Sequence, residues 1–225
     1  PFVKFSTKGV VLPSSNGNKL FFQSQNYAKV QVRVHRIYEN NMLQYLQSER
    51  LDEKSNYILG RVAKIVVDTV LVLGDPSSSK LKGVASYGLN ITDLIKVQKG
   101  ALYRIGIKGV EPLVEKESDY YESDYYFGYY NDYEDRHVNI LASDLAVIAK
   151  GSGKGTYTFF VTNIIDASPV SGAKVKVFDY VNQVIGEGST GGDGKVEIKL
   201  SEEPHTAVVT SGNDKNYLKL TYGAS

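Results

Sequence analysis

The most distinctive chemistry in this sequence lies in a stretch of tyrosines and acids at about 115–136. Within it, residues 119–135 hold seven of the 17 tyrosines, interleaved with Asp and Glu. Clustered Tyr supplies contact area at a low cost in conformational entropy, and carboxylates attract cations or basic partners. The spacing of the acids matches no calcium-ligand loop. The candidate protein-binding residues are Tyr120, Tyr121, Tyr125, Tyr126, Tyr129, Tyr130 and Tyr133.

The same segment has a plainer interpretation as a long insertion that packs its own rings over a domain junction. Connections of this length are uncommon unless they are functional or disordered. Both interpretations stay open at this point: a solvent-facing binding loop, or a linker that packs between domains.

The glycine-rich stretch 151–156 could in principle cradle phosphate. A phosphate-binding loop needs a Gly five positions before its Gly-Lys pair and a helix after it. Here that position is Ile148, and the residues from Tyr157 to Val161 are typical of a strand. The stretch therefore predicts a hairpin loop rather than a nucleotide site.

No set of residues in the sequence supports catalysis, a metal site or a cofactor. The three histidines, His35, His137 and His205, each lie in or beside a strand-like pattern. There is no Cys, and no Ser stands in a nucleophile-elbow pattern. We therefore expect no catalytic, cofactor-binding or metal-ligating residue in this chain, which is predicted not to be an enzyme.

The charge and hydropathy of the chain argue against some classes of binding partner. The chain has 225 residues, 26 Lys+Arg against 25 Asp+Glu, and a net charge of +1. This balance argues against nucleic acid as a partner and against membrane contact by this fragment. No apolar run approaches the length of a membrane span, and Pro1 opens strand-like sequence without a signal peptide. We expect the chain to be a piece of a longer protein.

Period-two alternation predicts an all-β protein. Valines occupy every second position in 29–35, and the same alternation returns in 173–177 and 195–200. Two richer apolar runs, 65–73 and 157–162, are typical of strands buried on both faces. In the first half we predict strands near 2–6, 19–24, 29–38, 58–73, 84–88 and 101–108. In the second half we predict strands at 144–149, 156–164, 173–180, 183–188, 195–200, 206–210 and 216–221.

This pattern predicts two tandem β-sandwich domains of the fibronectin-III or immunoglobulin type. The first spans 1–137 and carries the Tyr/acid insertion, and the second is a seven-stranded sandwich over 138–225. Two short helical segments are predicted in the first domain, at 40–47 and at 92–95, with Thr92 capping the second.

Three stretches together resemble one known family. The first runs from Gly9 to Ser14 and continues over 30–47, and the second covers 94–105. The third and most specific covers 139–150 and the motifs that follow it at fixed spacing: Leu141-Ala142-Ser143-Asp144-Leu145, Pro169-Val170-Ser171-Gly172-Ala173 and Asp193-Gly194-Lys195. They resemble the N-terminal macroglobulin domains of bacterial alpha-2-macroglobulins, in the form associated with Bacteroides-like bacteria.

The resemblance implies a function for the longer protein rather than for this piece. Members of the family trap proteases: a protease cleaves a bait segment, the scaffold collapses around it, and in many members a thioester from a Cys-x-Glu-Gln motif reacts with it. Because this chain has no Cys, it cannot carry that thioester. The resemblance therefore implies a non-catalytic scaffold fragment of a protease inhibitor used in bacterial defence.

The implied partners are proteases, through the full-length protein, and neighbouring macroglobulin domains of the same chain. The implied location is the periplasm or cell envelope, where the parent can be a lipoprotein. A different class stays open, namely a cell-surface adhesive or ligand-binding module that uses the Tyr-rich loop.

Overall fold

The predicted all-β class is confirmed by the computed structural model, which describes residues 1–6, 11–13, 19–52, 58–114, 136–152 and 155–220. The strands of the first half are β1 Phe2–Phe5, β2 Lys19–Gln25, β3 Tyr27–Ile37, β4 Ala63–Val72, β5 Ala85–Asn90, β6 Leu102–Pro112 and β7 His137–Leu141. Those of the second half are β8 Leu145–Gly151, β9 Thr156–Asn163, β10 Lys174–Phe178, β11 Val184–Ser189, β12 Lys195–Lys199, β13 Thr206–Ser211 and β14 Asp214–Lys219.

The first sandwich packs a sheet of order β1-β2-β5 against a sheet of order β4-β3-β6-β7, and all its ladders are antiparallel. Its core forms because alternate residues of β3 and β6 point inward. Val30, Val32 and Val34 of β3 meet Ile105 and Ile107 of β6 in one buried cluster. The polar residues between them face outward.

The second sandwich packs β11-β10-β13-β14 against β12-β9-β8. Its seven strands match the seven predicted from the alternating pattern. Phe159 and Val161 of β9 meet Val175 and Val177 of β10 at the centre of the core. The glycine-rich stretch 151–156 connects the antiparallel neighbours β8 and β9, and the Ser152 amide donates to the Thr156 carbonyl at 2.9 Å, as expected for a hairpin.

Two short helices lie between β3 and β4: α1 Met42–Ser48 and α2 Leu59–Val62. A single 3₁₀ turn precedes α1 at Glu39–Asn41, and others lie at Ser79–Leu81 and Ile91–Asp93. The helical segment predicted at 40–47 is therefore present. The predicted Thr92 cap is wrong, because Asn90 is the residue that precedes the turn, and Thr92 Oγ1 donates to Asn90 Oδ1 at 2.8 Å. No helix among the described residues has the length and apolar character that crossing a bilayer requires.

The prediction for 58–73 is wrong in two respects. Its first residues form α2 rather than strand, because their apolar side chains cover the end of the sandwich. The rest is β4, an edge strand whose outer face is open, with Val72 at 72% exposure. A register shift opposite Val34/His35 marks a β-bulge in this edge, a feature that limits pairing with other chains. The run 157–162 is likewise buried on one face only.

Strand pairing shows which sheet holds the residues that follow the predicted boundary between 137 and 138. Strand β7 pairs with β6, from Leu102 opposite Leu141 to Gly106 opposite His137, and so completes the first sandwich. The second sandwich then begins at β8. Composition changes near this point, but only strand pairing reveals to which sheet β7 belongs.

Candidate functional site at the junction of the two sandwiches

The predicted site residues of the Tyr/acid segment, Tyr120 to Tyr133, all lie outside the described residues. The two interpretations of that segment therefore stay predictions. The described residues contain no grouping of three or more His, Asp or Glu side chains that could hold a metal ion. What the structure does place is the surface on which the two sandwiches meet.

The three histidines are buried or half-buried strand residues. His137 opens β7 and His205 immediately precedes β13, each 5% exposed. His205 Nδ1 lies 3.0 Å from Thr206 Oγ1, and its ring packs edge-on against Tyr180. His35 lies in β3, and its Nδ1 has no hydrogen-bond partner among the described residues.

We expect His35 to make stability depend on pH. Burial lowers the pKa of His35 to about 4, and the positive charges of Arg33 and Arg104 add to the shift while Asp68 opposes it. The unfolded chain therefore binds more protons between pH 6.5 and pH 4. The free energy of unfolding should fall on acidification through that window, and urea titrations of His35→Gln should show a smaller fall. An equal fall in wild type and variant would exclude this role of His35.

The linker between the sandwiches, 142–144, is held by hydrogen bonds on both sides. Toward the first sandwich, the Ala142 amide donates to the Ala101 carbonyl at 3.0 Å and the Gly100 amide donates to the Ala142 carbonyl at 2.6 Å. Toward the second, the Asp144 amide donates to Asp214 Oδ2 at 2.9 Å. These hydrogen bonds restrain the linker from both sides and so oppose relative motion of the sandwiches.

Ion pairs cross the same junction. Lys99 Nζ donates to Asp144 Oδ2 at 2.6 Å, and that hydrogen bond raises the pKa of Lys99. Lys215 Nζ of β14 lies 3.2 Å from Glu39 Oε2. These lysines are partly exposed, so each pair contributes at most about 1 kcal/mol in water.

The apolar core of the junction is shared by both sandwiches. Tyr217 of β14 is 3% exposed and belongs to one buried cluster with Ile37, Met42 and Leu46 of the first sandwich. Val208 of β13 packs against the same cluster. The Tyr217 hydroxyl donates to the Gly100 carbonyl at 3.4 Å, and burial raises the pKa of the phenol. Burial of this kind is what makes an interface between domains resist relative motion.

Beneath α1, a buried guanidinium supports the junction. Arg104 of β6 is fully buried on the outer side of its sheet, and its Nε donates to Asn139 Oδ1 of β7 at 2.8 Å. Asn139 Nδ2 donates to the Tyr45 hydroxyl at 3.2 Å and to the Leu51 carbonyl at 2.8 Å. These polar side chains tie α1 to the sheet, and α1 in turn carries the apolar residues that meet Tyr217.

Gly100 lies directly against Lys215 of the second sandwich, and its replacement is a test of the junction. Its φ of +77° suits glycine, and a Cβ there would lie 2.8 Å from Lys215 Cβ and 2.9 Å from the Lys215 amide nitrogen. Gly212 also has a positive φ, of +58°, but open space around it. We expect Gly100→Ala to lower the free energy of unfolding by about 1–3 kcal/mol more than Gly212→Ala. Equal losses in chemical denaturation would mean that the contact with Lys215 is unimportant.

A cleft of about 520 Å³ opens beside the linker. Its apolar walls come from Leu12, Ile95, Val97 and Ala142. Its polar lining residues are Thr92, Lys96, Lys99, Ser143 and Asp144. The cleft therefore lies where the loop before β6 meets the start of β8.

Sequence reasoning missed the residues of this junction, because strand alternation places them on the outward face and does not show that they are buried. Leu218 and Leu220 face the core of the second sandwich, so Tyr217 falls on the outward phase of β14. Arg104 likewise lies between the inward-facing Tyr103 and Ile105. Some bulky or charged residues point away from the core of their own sandwich and are nevertheless buried. Such a residue contacts another part of the molecule.

Comparisons with known proteins show which families and proteins this chain is similar to. A family model of the bacterial alpha-2-macroglobulin MG3 domain matches residues 142–225. The alpha-2-macroglobulin of Pasteurella multocida (strain Pm70) is 25% identical over 201 residues, which cover 88% of this chain and 10% of that protein. The chain thus spans about a tenth of the length of this curated relative.

Solved structures show the same fold. The crystal structure of native Escherichia coli alpha-2-macroglobulin spanning domains NIE-MG1 has a TM-score of 0.65 at 15% identity, covering 97% of this chain and 96% of that one. Trypsin-activated alpha-2-macroglobulin from Escherichia coli has a TM-score of 0.69 at 16% identity, covering 98% of this chain and 14% of that one.

Fold and junction define a tandem of macroglobulin-type β-sandwiches. The predicted resemblance is confirmed: residues 142–225 match the family model of a bacterial alpha-2-macroglobulin domain, and most of the chain is similar to part of a bacterial alpha-2-macroglobulin. The family model names this domain MG3 and the Escherichia coli fragment carries the names NIE and MG1, so the domain number differs between the two.

Proposed function

We propose that this chain is a non-catalytic scaffold segment of a bacterial alpha-2-macroglobulin-like protease trap. The observation that carries the proposal is the shared junction. An immobilised linker and a common apolar cluster couple the two sandwiches into one mechanical unit. A trap that must hold an open form and then close around a protease needs such stiff units to transmit the movement.

The same proposal assigns partners and location to the parent protein. Proteases bind to the full-length protein and not to this segment, and neighbouring macroglobulin domains of the same chain pack against it. The parent resides in the periplasm or cell envelope, anchored as a lipoprotein, and serves bacterial defence. The support for these assignments is the similarity to bacterial alpha-2-macroglobulins over 88% of the chain.

The proposal is tested by a trapping assay on the full-length parent protein. A trapped protease is enclosed, so it loses activity toward large protein substrates while it still cleaves small peptides. We expect wild type and Tyr217→Phe to produce this difference, and Tyr217→Ala, which loosens the junction, to trap less. A parent that leaves cleavage of large substrates unchanged at excess over protease would contradict the proposal.

A further inference from the structure

An exposed apolar pair lies on the outer face of the second sandwich. Because Phe159 and Val161 face the core, Phe160 points outward, where its register partner on β8 is Ile148. Phe160 is 40% exposed and Ile148 is 66% exposed. The solvent face of an antiparallel sheet normally alternates to polar residues, so an Ile-Phe pair at its centre departs from the pattern.

This pair is continuous with the cleft at the junction. The Ile164 amide donates to the Asp144 carbonyl at 2.8 Å just beyond the end of the β8–β9 ladder, and Ile164 is 36% exposed. Asp144 is also a lining residue of the cleft. One surface therefore runs from the apolar walls of the cleft, past Ile164, to the pair Ile148 and Phe160.

Five lysines lie along this surface, and two of them are paired with acids. Lys99 and Lys195 are neutralised by Asp144 and Glu197, at 2.6 Å and 2.8 Å. Three further lysines border the surface and have no ion-pair partner among the described residues. They are Lys96 at the cleft, Lys150 at the end of β8 and Lys199 on β12.

We propose that this surface, formed by the junction cleft and the outer face of β8 and β9, binds an extended acidic polypeptide segment with apolar or aromatic side chains. The length favours an extended chain, since the seven residues of β8 alone span about 20 Å. The unpaired lysines select acidic residues, and Ile148 and Phe160 contact the apolar ones. A second copy of this chain is disfavoured, because it would bring the same lysines against each other.

The direct test titrates the full chain into a fluorescein-labelled peptide of about twelve residues, in which Glu alternates with Phe or Ile. Binding is measured by the fluorescence anisotropy of the peptide. We expect saturable binding that weakens as salt is raised, and no comparable binding of a peptide with Lys in place of Glu. Equal binding of the Lys peptide, or no binding at about 1 mM, would overturn the proposal.

Substitutions separate this surface from unspecific contact. Ile148→Ser with Phe160→Ser, and separately Lys96→Glu with Lys150→Glu, should each weaken binding by about tenfold or more, as loss of hot-spot contacts does. The matched control is Val184→Ser, which removes a 51% exposed residue from the opposite sheet and should leave binding unchanged. The lysine pair stays informative if the apolar pair destabilises the fold. Equal loss in the control, or no loss in the lysine pair, would refute the assignment.

Discussion

Replacing Tyr217 by Ala should uncouple the two sandwiches. The ring is the only large side chain of β14 within the described residues that enters the cluster with Ile37, Met42 and Leu46, so its removal leaves a cavity between domains. Truncation of a buried aromatic residue costs about 3–5 kcal/mol. We expect calorimetry to show that loss and also a split of the unfolding endotherm into two transitions.

The matched variant is Tyr217→Phe. It keeps the ring in the cluster and removes only a hydroxyl whose bond to the Gly100 carbonyl is long, at 3.4 Å. The expected loss is at most about 1 kcal/mol, with one transition retained. If Tyr217→Ala also lost less than about 1 kcal/mol and kept a single transition, the shared cluster would not couple the sandwiches.

The second large effect is expected at the buried guanidinium. Asn139→Leu removes the acceptor of the 2.8 Å bond from Arg104 Nε and the donors to Tyr45 and Leu51. A buried charged donor that loses one hydrogen-bond partner costs about 1–3 kcal/mol, and Arg104 keeps the bond from its Nη2 to the Tyr45 hydroxyl at 3.4 Å. We expect a fall of this size in the free energy of unfolding from urea titration, with faster exchange of the amides of α1.

A double variant identifies the cause of that loss. Arg104→Met together with Asn139→Leu replaces the buried guanidinium as well as its acceptor. The double variant should be more stable than Asn139→Leu alone, because apolar replacement of a buried polar pair is often neutral. If the losses in free energy of unfolding of the two single variants simply add in the double variant, packing and not the buried charge determines the loss.

Local alternation was enough to predict the fold class and most of the strands, although β7 was not among those predicted. In Lys174–Phe178, for example, Val175 and Val177 enter the core and the lysines between them stay outside, as the pattern requires. The same rule misjudged β4, because a run of β-branched residues looks the same whether the second face is covered or open. Exposure of Val70 and Val72 depends on what else packs there, which the strand itself does not encode.

The junction could not be predicted because it depends on contacts between residues distant in sequence. Lys99 meets Asp144, and Tyr217 meets Gly100, across 45 and 117 positions of the sequence. Arg104 looked like an ordinary outward strand residue, since nothing local shows that α1 covers it. The family resemblance, in contrast, was visible in sequence because motifs such as Asp193-Gly194-Lys195 stand at fixed spacing within one sandwich.

The central claim is that the two sandwiches form one stiff unit, and a distance distribution tests it most directly. The chain has no Cys, so spin labels can be attached selectively to Lys64→Cys on β4 and Glu187→Cys on β11. A pair within the second sandwich, Lys150→Cys with Glu187→Cys, gives the width expected for a rigid body. Double electron–electron resonance should yield a single distribution of distances between the sandwiches, as narrow as the reference distribution. The distribution between the sandwiches should broaden in Tyr217→Ala. A broad or multiple distribution in the otherwise unaltered chain would contradict the account.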